Sequence, residues 1–424
     1  MQNPRRVIPL VIAPLVIALL LGLLPAAAAA DEPACPYPAG LPPTPFEDLV
    51  SATHHRSIVC SAWYDLVRGI DGRRFAPLAP VRRDQMAAFL VRALVLARVP
   101  LPSEPPQQFE DVAASAHRDA IAQVAELGLV EGTGARTYAP GEAVTRAQMA
   151  AFLVRLTALL DITATGAGDA FDDDGGSVHH DAINRAAALG LARGTSATTF
   201  APGRAIRREQ MASFLARLVT LMVDRGAVAR RPIPAFTSNA RPLPPQMRGA
   251  MRGATWRPGC PVGLDHLVLL EVTHWDFRAR PRRGHLVVAR SAADDLATVF
   301  RRIYRARFQI ERMRPVHTYE GGELASLNDN NTSAFDCRAV TGGSSWSEHS
   351  YGTAIDINPR QNPYVKGSVV LPANGRPWLD RTPARRGMIT PSGPVATAFA
   401  AIGWGWGGDY RTLKDYQHFS ASGR

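Results

Sequence analysis

Lysine is nearly absent from this chain of 424 residues, since only Lys366 and Lys414 carry an ammonium group. Arginine supplies 46 of the 48 basic side chains, and with 37 acidic ones the formal net charge is +11. An arginine bias of this kind also follows from GC-rich coding, so it is weak evidence for nucleic acid and better evidence for an anionic surface nearby. We predict no nucleic-acid partner. The apolar share of 46% excludes a wholly disordered or collagen-like chain.

Cysteine is scarce too, with two residues near the N-terminus, Cys35 and Cys60, and two in the last third, Cys260 and Cys337. Because no two of them are close in sequence, a thiolate metal site is not expected. Four cysteines allow three pairings, of which pairing within each region is the simplest. A bridge between Cys260 and Cys337 would close a long loop and contribute about 4 kcal/mol in the chain-entropy account.

Long apolar runs are missing after the N-terminus. Arg5 and Arg6 precede an apolar stretch, 7–24, and a run of alanines ends at Ala30. This pattern predicts a secretory signal peptide over 1–30. The stretch is also long enough to remain as an uncleaved membrane anchor. With cleavage, the mature protein would have no membrane span and would lie outside the cytoplasm, where disulfides form.

Three similar segments follow within 31–222, at 46–96, 109–160 and 171–222. Each opens with Phe-x-Asp, continues to a turn of the form Phe/Tyr-Ala-Pro, and ends with a segment that begins Arg-x-Gln-Met. A single helix pair cannot bury its own apolar stripe, so we expect the three repeats to pack on one another.

The helices of the second repeat can be predicted individually. Four apolar side chains recur at helical spacing: Met149, Phe152, Leu153 and Leu156. Thr145 suits the N-cap of that helix. An earlier helix is predicted over 118–127, ending near Gly128.

These three repeats resemble the S-layer homology module, which usually occurs in threes. The resemblance implies an all-α, pseudo-threefold module that binds an anionic cell-wall polysaccharide. It also implies a contribution to that binding from the arginine at the start of the second helix, here Arg83, Arg146 and Arg208. A purely structural array of repeats is the alternative.

The next segment, 223–257, is rich in arginine and proline and predicts a basic, partly extended linker. The last domain, 258–424, has a mixed α and β pattern. A strand is predicted over 284–289 and a helix over 292–306.

Histidine and aspartate form the most informative motif. If 354–358 is a strand, Ile355 and Ile357 point to the core and Asp356 points the other way. Gly352 lets the chain bend so that His349 can meet Asp356. Two imidazoles, those of His349 and His418, with one carboxylate suit a catalytic zinc that keeps one position open for water.

Asp415 lies three residues before His418 and is a candidate to move the proton of that water. The pattern Ser-x-His-x6-Asp followed by Asp-x-x-His resembles the zinc D-alanyl-D-alanine carboxypeptidases and L-alanyl-D-glutamate endopeptidases of peptidoglycan. That resemblance implies a small α+β domain with an antiparallel sheet that carries the metal. The roles it implies are zinc binding by His349, Asp356 and His418, acid/base catalysis by Asp415, and substrate contacts by Arg338 and Ser347.

The sequence therefore predicts a secreted peptidase that is held at the cell wall by the repeats and cleaves peptidoglycan stem peptides with zinc. A non-catalytic wall-binding or surface-layer protein is the second hypothesis. A zinc peptidase that acts on proteins is the third.

Overall fold

The computed structural model describes residues 42–49, 54–340 and 343–423. The predicted signal peptide, 1–30, lies outside the described residues, and so does Cys35. In the described ranges, no helix is both long enough and apolar enough to cross a membrane.

The described residues of the repeats contain six helices, two in each repeat. In chain order they are α1 (His55–Trp63), α2 (Arg83–Leu96), α3 (Arg118–Glu126), α4 (Arg146–Leu159), α5 (His180–Ala188) and α6 (Arg208–Asp224). The N-terminal part of the chain is thus helical, as the repeats predict.

Helix α4 illustrates why these segments fold as they do. The Thr145 hydroxyl accepts a hydrogen bond from the Gln148 N–H at 3.2 Å, and the Gln148 side chain accepts one from the Thr145 N–H at 3.1 Å. This reciprocal cap satisfies two N–H groups at the helix start. The four side chains of the predicted apolar face are buried. Helix α3 ends just before Gly128, whose φ of +67° suits a helix terminus.

The repeats close on one another in a ring. Helix α2 packs against α3, α4 packs against α5, and α6 returns to α1. Isolated backbone bridges also join the segments that precede α2, α4 and α6. One apolar core runs through all three repeats, so each repeat buries its stripe against the next.

The Phe-x-Asp motif has a structural explanation. Its carboxylate accepts the backbone N–H groups of the two residues that open the Phe/Tyr-Ala-Pro turn. In every repeat the carboxylate accepts the N–H of the first turn residue at 2.7 to 2.8 Å: Asp48 from Phe75, Asp111 from Tyr138 and Asp173 from Phe200. The constant separation of 27 residues between the two parts of each motif therefore reflects a direct contact.

The C-terminal region alternates short strands and helices. Its elements are β1 (Ser238–Pro242), α7 (Pro245–Met251), β2 (Leu267–Trp275), β3 (Pro281–Ala289), α8 (Ala293–Arg305), β4 (Arg312–Met313), α9 (Gly322–Asn328), β5 (Asn331–Thr332), β6 (Ala354–Asp356), β7 (Tyr364–Lys366), β8 (Val369–Leu371), α10 (Pro394–Ala400), β9 (Gly405–Trp406), β10 (Lys414–Asp415) and β11 (His418–Ser420). Strand β3 and helix α8 match the predicted strand and helix.

The strands form three small antiparallel sheets in the order β1-β2-β3, β10-β7-β8 and β6-β11-β9. Strands β4 and β5 pair in parallel beside them. Helix α8 covers the first sheet because its apolar stripe, Leu296, Val299, Phe300 and Ile303, is buried against β2. The predicted antiparallel character is present, but it is divided among three sheets.

The segment predicted as a linker, 223–257, contains regular structure. Strand β1 pairs with β2 along its whole length, from Ser238 opposite Val272 to Pro242 opposite Val268. Its five residues are exposed, which fits an edge strand that carries arginine and proline.

The first repeat packs against the C-terminal region around Trp63. The Trp63 and Trp275 rings lie edge to face with centroids 6.0 Å apart, and Trp275 is fully buried. The Arg280 guanidinium lies over the Trp63 ring at 5.6 Å. Nearby, Arg386 pairs with Glu47 at 2.8 Å. The described residues accordingly form one compact unit.

Cys260 and Cys337 form a disulfide across 77 residues of chain. This is one of the pairings that the sequence allows. Cys60 is also disulfide-bonded, and Cys35, its expected partner, lies outside the described residues.

Candidate metal and peptidase site

The register of two strands brings Asp356 and His418 together. Strands β6 and β11 are antiparallel, and His418 lies directly opposite Asp356. The neighbouring side chains, Ile355 and Phe419, are fully buried and hold the pair of strands against the core. The sheet thus joins two residues that are 62 positions apart in sequence.

His349 approaches the same point from a short 3-10 helix, Glu348–Tyr351. Gly352 ends that helix with a φ of +71°. A Cβ at Gly352 would lie 2.6 Å from the backbone nitrogen of Ala289, so only glycine fits without a shift of the backbone. The bend predicted at Gly352 is confirmed, and it turns His349 towards β6.

The three side chains converge closely. His349 Nε2 lies 3.2 Å from Asp356 Oδ2 and 3.2 Å from His418 Nδ1, and His418 Nδ1 lies 3.1 Å from Asp356 Oδ1. A tetrahedral zinc with bonds of about 2.0 to 2.1 Å would separate its ligands by about 3.3 Å. Two imidazoles and a carboxylate are ligands that zinc prefers. The geometry and the chemistry of these residues fit zinc.

The surroundings of the group prepare it for a cation. His349 Nδ1 lies 2.5 Å from the Ala334 carbonyl oxygen, so it donates its proton there and leaves Nε2 as an electron-pair donor. Burial opposes ionisation of Asp356, but the two imidazoles outweigh it and hold the pKa of that carboxyl well below its ordinary value. Asp356 is therefore a carboxylate.

Asp415 lies beside this group on β10, which pairs with β7. Its Oδ1 is enclosed and has no hydrogen-bond partner among the described residues. Desolvation, with the nearby Asp356 charge, raises the pKa of Asp415 from its ordinary value to about 6, and His418 and His349 oppose the change. A carboxyl group with such a pKa both accepts and donates a proton near neutral pH.

These residues line one cleft of about 500 Å³. All six residues predicted for the peptidase site contribute to its wall: Arg338, Ser347, His349, Asp356, Asp415 and His418. The sequence reasoning missed other wall residues, among them Glu323, Trp346, Tyr364 and Tyr410. Glu323 lies on α9 and Tyr364 on β7, whereas Trp346 and Tyr410 lie outside the named helices and strands. None of them is part of a recognisable motif, so no signal in the sequence pointed to them.

Arg338 reaches the cleft next to the disulfide of Cys337. Its guanidinium forms an ion pair with Glu323 and lies 3.7 Å from an Asp336 carboxylate oxygen. Burial raises the pKa of both acidic groups, and the Arg338 charge opposes that rise. In this structure Arg338 is therefore already paired with carboxylates of the chain.

Ser347 is buried at the cleft wall and begins the 3-10 helix that carries His349. Its hydroxyl oxygen accepts a hydrogen bond from the His349 N–H at 3.4 Å. This contact positions His349, and the predicted contact of Ser347 with substrate stays a prediction.

The three arginines predicted for wall-polymer binding lie inside the ring of repeats. Arg83, Arg146 and Arg208 are each 3 to 4% exposed. Each donates two hydrogen bonds to backbone carbonyls of the next repeat; for Arg146 the acceptors are Phe200 at 2.6 Å and Arg193 at 2.7 Å. These arginines join neighbouring repeats. Their contact with a wall polymer stays a prediction.

Segments in both parts of the chain match models of known protein families. Residues 341–421 match a family model described as D-alanyl-D-alanine carboxypeptidase. Residues 108–150 and 171–212 match the S-layer homology domain. These matches support a peptidase in the C-terminal region and an association with the cell surface through the repeats.

The chain also resembles an endoglucanase from Bacillus sp. (strain KSM-635), with 30% identity over 159 residues. The matched segment covers 37% of this chain and 16% of that protein, so this chain spans only a small part of its relative.

Proposed function

We propose that this protein is a secreted, wall-associated zinc metallopeptidase that hydrolyses an amide bond in peptidoglycan stem peptides. The observation that carries the proposal is the triangle of His349, Asp356 and His418 beside the buried carboxyl of Asp415. The three candidate ligands lie 3.1 to 3.2 Å apart in a cleft of about 500 Å³. The family match over 341–421 supports the same activity.

The residues of the cleft divide the work of amide hydrolysis. His349, Asp356 and His418 would hold zinc, which when bound polarises the scissile carbonyl and lowers the pKa of a water from about 15.7 towards about 7. Asp415 accepts a proton from the attacking water and donates it to the departing amine nitrogen. Arg338, once released from Glu323, hydrogen-bonds a substrate carboxylate or the developing oxyanion.

Cleavage within the stem, at an L-Ala-D-Glu bond, suits the cleft better than removal of a terminal D-Ala. A carboxypeptidase must bind a free C-terminal carboxylate. Arg338, the candidate for that contact, is already paired with Glu323. A terminal carboxylate would have to displace Glu323 before it could pair with Arg338. The D-alanyl-D-alanine carboxypeptidase activity is the second candidate, and the description of the matching family favours it.

The repeats would hold the enzyme at an anionic wall polysaccharide. Tethering raises the local concentration of substrate without any change at the catalytic site. The arginines of 223–257, most of which are exposed, add positive charge next to the repeats, which favours an anionic polymer as the anchor.

Digestion of purified peptidoglycan tests the proposal. The mature chain is incubated with sacculi, with and without a chelator, and the products are identified by mass spectrometry. We expect new L-Ala and D-Glu termini that disappear with chelator, return with added zinc and are absent for His349→Ala. His285→Ala, which changes a histidine of β3 outside the cleft, is the matched control and should retain activity.

Other product patterns decide between the alternatives. Release of terminal D-Ala alone would identify a carboxypeptidase. A folded, zinc-loaded chain that binds sacculi without cleaving them would contradict the peptidase proposal and favour a non-catalytic wall-binding protein.

A further inference from the structure

The third repeat contains a second group of metal-binding side chains, far in sequence from the peptidase cleft. Asp169, Asp174 and His180 each present a ligand atom, and these atoms lie within 4.8 Å of one another. His180 Nδ1 is 3.0 Å from Asp174 Oδ1. Asp169 and Asp174 lie on the loop before α5, and His180 is the first residue of that helix.

Asp174 is in an unusual environment for a carboxylate. Its side chain is fully buried, and Oδ2 has no hydrogen-bond partner among the described residues. A buried carboxylate oxygen without a partner is costly unless a cation or a hydrogen bond compensates it. The His180 contact uses only Oδ1. The orphaned oxygen therefore indicates that a positively charged partner belongs at this position.

The other two repeats act as internal references. The position of Asp174 is occupied by Val112 in the second repeat, where it is 2% exposed, and by Leu49 in the first. Packing of the repeat thus requires only an apolar side chain there. His180 corresponds to Arg118 in the second repeat, which would repel a cation, and to His55 in the first, where Leu49 supplies no carboxylate. The polar group is a special feature of the third repeat and not a requirement of the repeat fold.

A further substitution holds the group in place. Asn184 replaces Ala122 of the second repeat. Its side-chain oxygen accepts the N–H of Ala170 at 2.8 Å, and its Nδ2 lies 3.3 Å from the His180 ring. It therefore fixes both the loop that carries Asp169 and the imidazole of His180. Partners of this kind orient the direct ligands in metal sites.

We propose that Asp169, Asp174 and His180 form a second divalent-cation site, which takes zinc or a similar transition-metal ion. One imidazole nitrogen with two carboxylate oxygens favours such an ion, whereas calcium and magnesium prefer oxygen ligands alone. The ion would neutralise Asp174 and join the loop before α5 to the start of that helix. Water would complete the coordination on the exposed side of Asp169.

Zinc content of the full mature chain tests this proposal independently of the peptidase. Zinc alone is the probe, and the bound metal is counted by elemental analysis after dialysis against a zinc buffer. We expect two ions in the wild type, one in His349→Ala, one in Asp174→Val, and none in the double variant. Zinc should also raise the melting temperature of His349→Ala but not of the double variant.

Two further variants guard against a folding artefact. Asp169→Gln introduces the residue of the second repeat at an exposed position, and we expect it to weaken the second site by more than about tenfold. Asp172→Asn changes an exposed carboxylate of the same loop outside the group, and it should keep both ions. If folded His349→Ala binds no zinc, or if Asp174→Val and Asp169→Gln keep its affinity, the proposal is wrong. Failure of the peptidase proposal alone would leave the second ion and its dependence on Asp174 unchanged.

Discussion

At the scale of single residues, the cleft depends on the ionisation of Asp415 and on the backbone conformation of Gly352. Asp415 has to lose its proton before it can accept another from water. Its pKa is raised to about 6, mainly by burial, so the protonated and inactive form accumulates below that pH. The positive charge of a bound cation would shift this titration downward.

We therefore expect kcat/KM on a soluble stem peptide to be constant near neutral pH and to fall about tenfold per unit on the acid side of a midpoint at or below about pH 6. Zinc content is measured at each pH, because metal binding is itself pH-dependent. Asp415→Asn should retain zinc and lose about 10²- to 10⁴-fold in rate. An Asp415→Asn enzyme with wild-type activity would exclude this residue as the acid/base.

Gly352 provides the second prediction at this scale. Gly352→Ala adds a Cβ that meets the Ala289 backbone nitrogen at 2.6 Å and also strains a positive φ. We expect a loss of about 2 to 3 kcal/mol in the free energy of unfolding, together with weaker zinc binding because His349 moves. Gly367→Ala is the matched control, since φ is +58° there but nothing lies within 4 Å. This substitution should lower the free energy of unfolding by about 1 kcal/mol and leave zinc binding unchanged. Equal losses in the two variants would contradict the steric argument.

Part of this site was predictable because its residues lie in short, regular segments. The bend at Gly352 and the alternation around Asp356 are local features, and the structure contains both. Glu323 was not predictable, because its pairing with Arg338 depends on how α9 packs beside the cleft and not on any spacing in the sequence.

At the scale of elements, three buried arginines join the repeats. Each guanidinium donates two hydrogen bonds to carbonyl groups of the next repeat and lies over an aromatic ring, as Arg146 lies over Phe200 at 4.5 Å. The sequence revealed their recurrence at the helix starts. It did not reveal which repeat each side chain contacts, because that neighbour is set by closure of the ring of repeats.

Arg146→Gln tests the structural contribution of this contact. Loss of two charge-assisted hydrogen bonds should lower the free energy of unfolding by about 2 to 4 kcal/mol, as measured by chemical denaturation. Arg155→Gln is the control, because Arg155 pairs with the exposed Glu131. Its loss should lower the free energy of unfolding by less than about 1 kcal/mol. If Arg146→Gln weakened binding to sacculi without loss of stability, Arg146 would act in polymer binding and would not stabilise the fold.

At the scale of the whole molecule, the repeats and the peptidase region are packed together and not connected by a free tether. The segment 223–257, which resembles a linker in composition, contributes β1 to the first sheet. Composition alone could not predict this, because an exposed edge strand has the same charge and proline content as a linker. If the repeats bind the wall polymer as proposed, this packing would fix the direction in which the cleft faces.

Trp63→Ala tests whether this packing matters for activity on the intact wall. Removal of the ring takes away its contacts with Trp275 and Arg280. This loss should lower the free energy of unfolding by about 3 to 5 kcal/mol. We expect an earlier thermal transition and faster proteolysis within 225–237. Activity on a soluble peptide should persist below that transition, because the cleft lies on other elements, whereas activity on sacculi should fall. Val178→Ala, at an exposed position in the third repeat, is the control. Equal activity of Trp63→Ala and wild type on sacculi would mean that anchoring requires proximity alone and not a fixed orientation of the cleft.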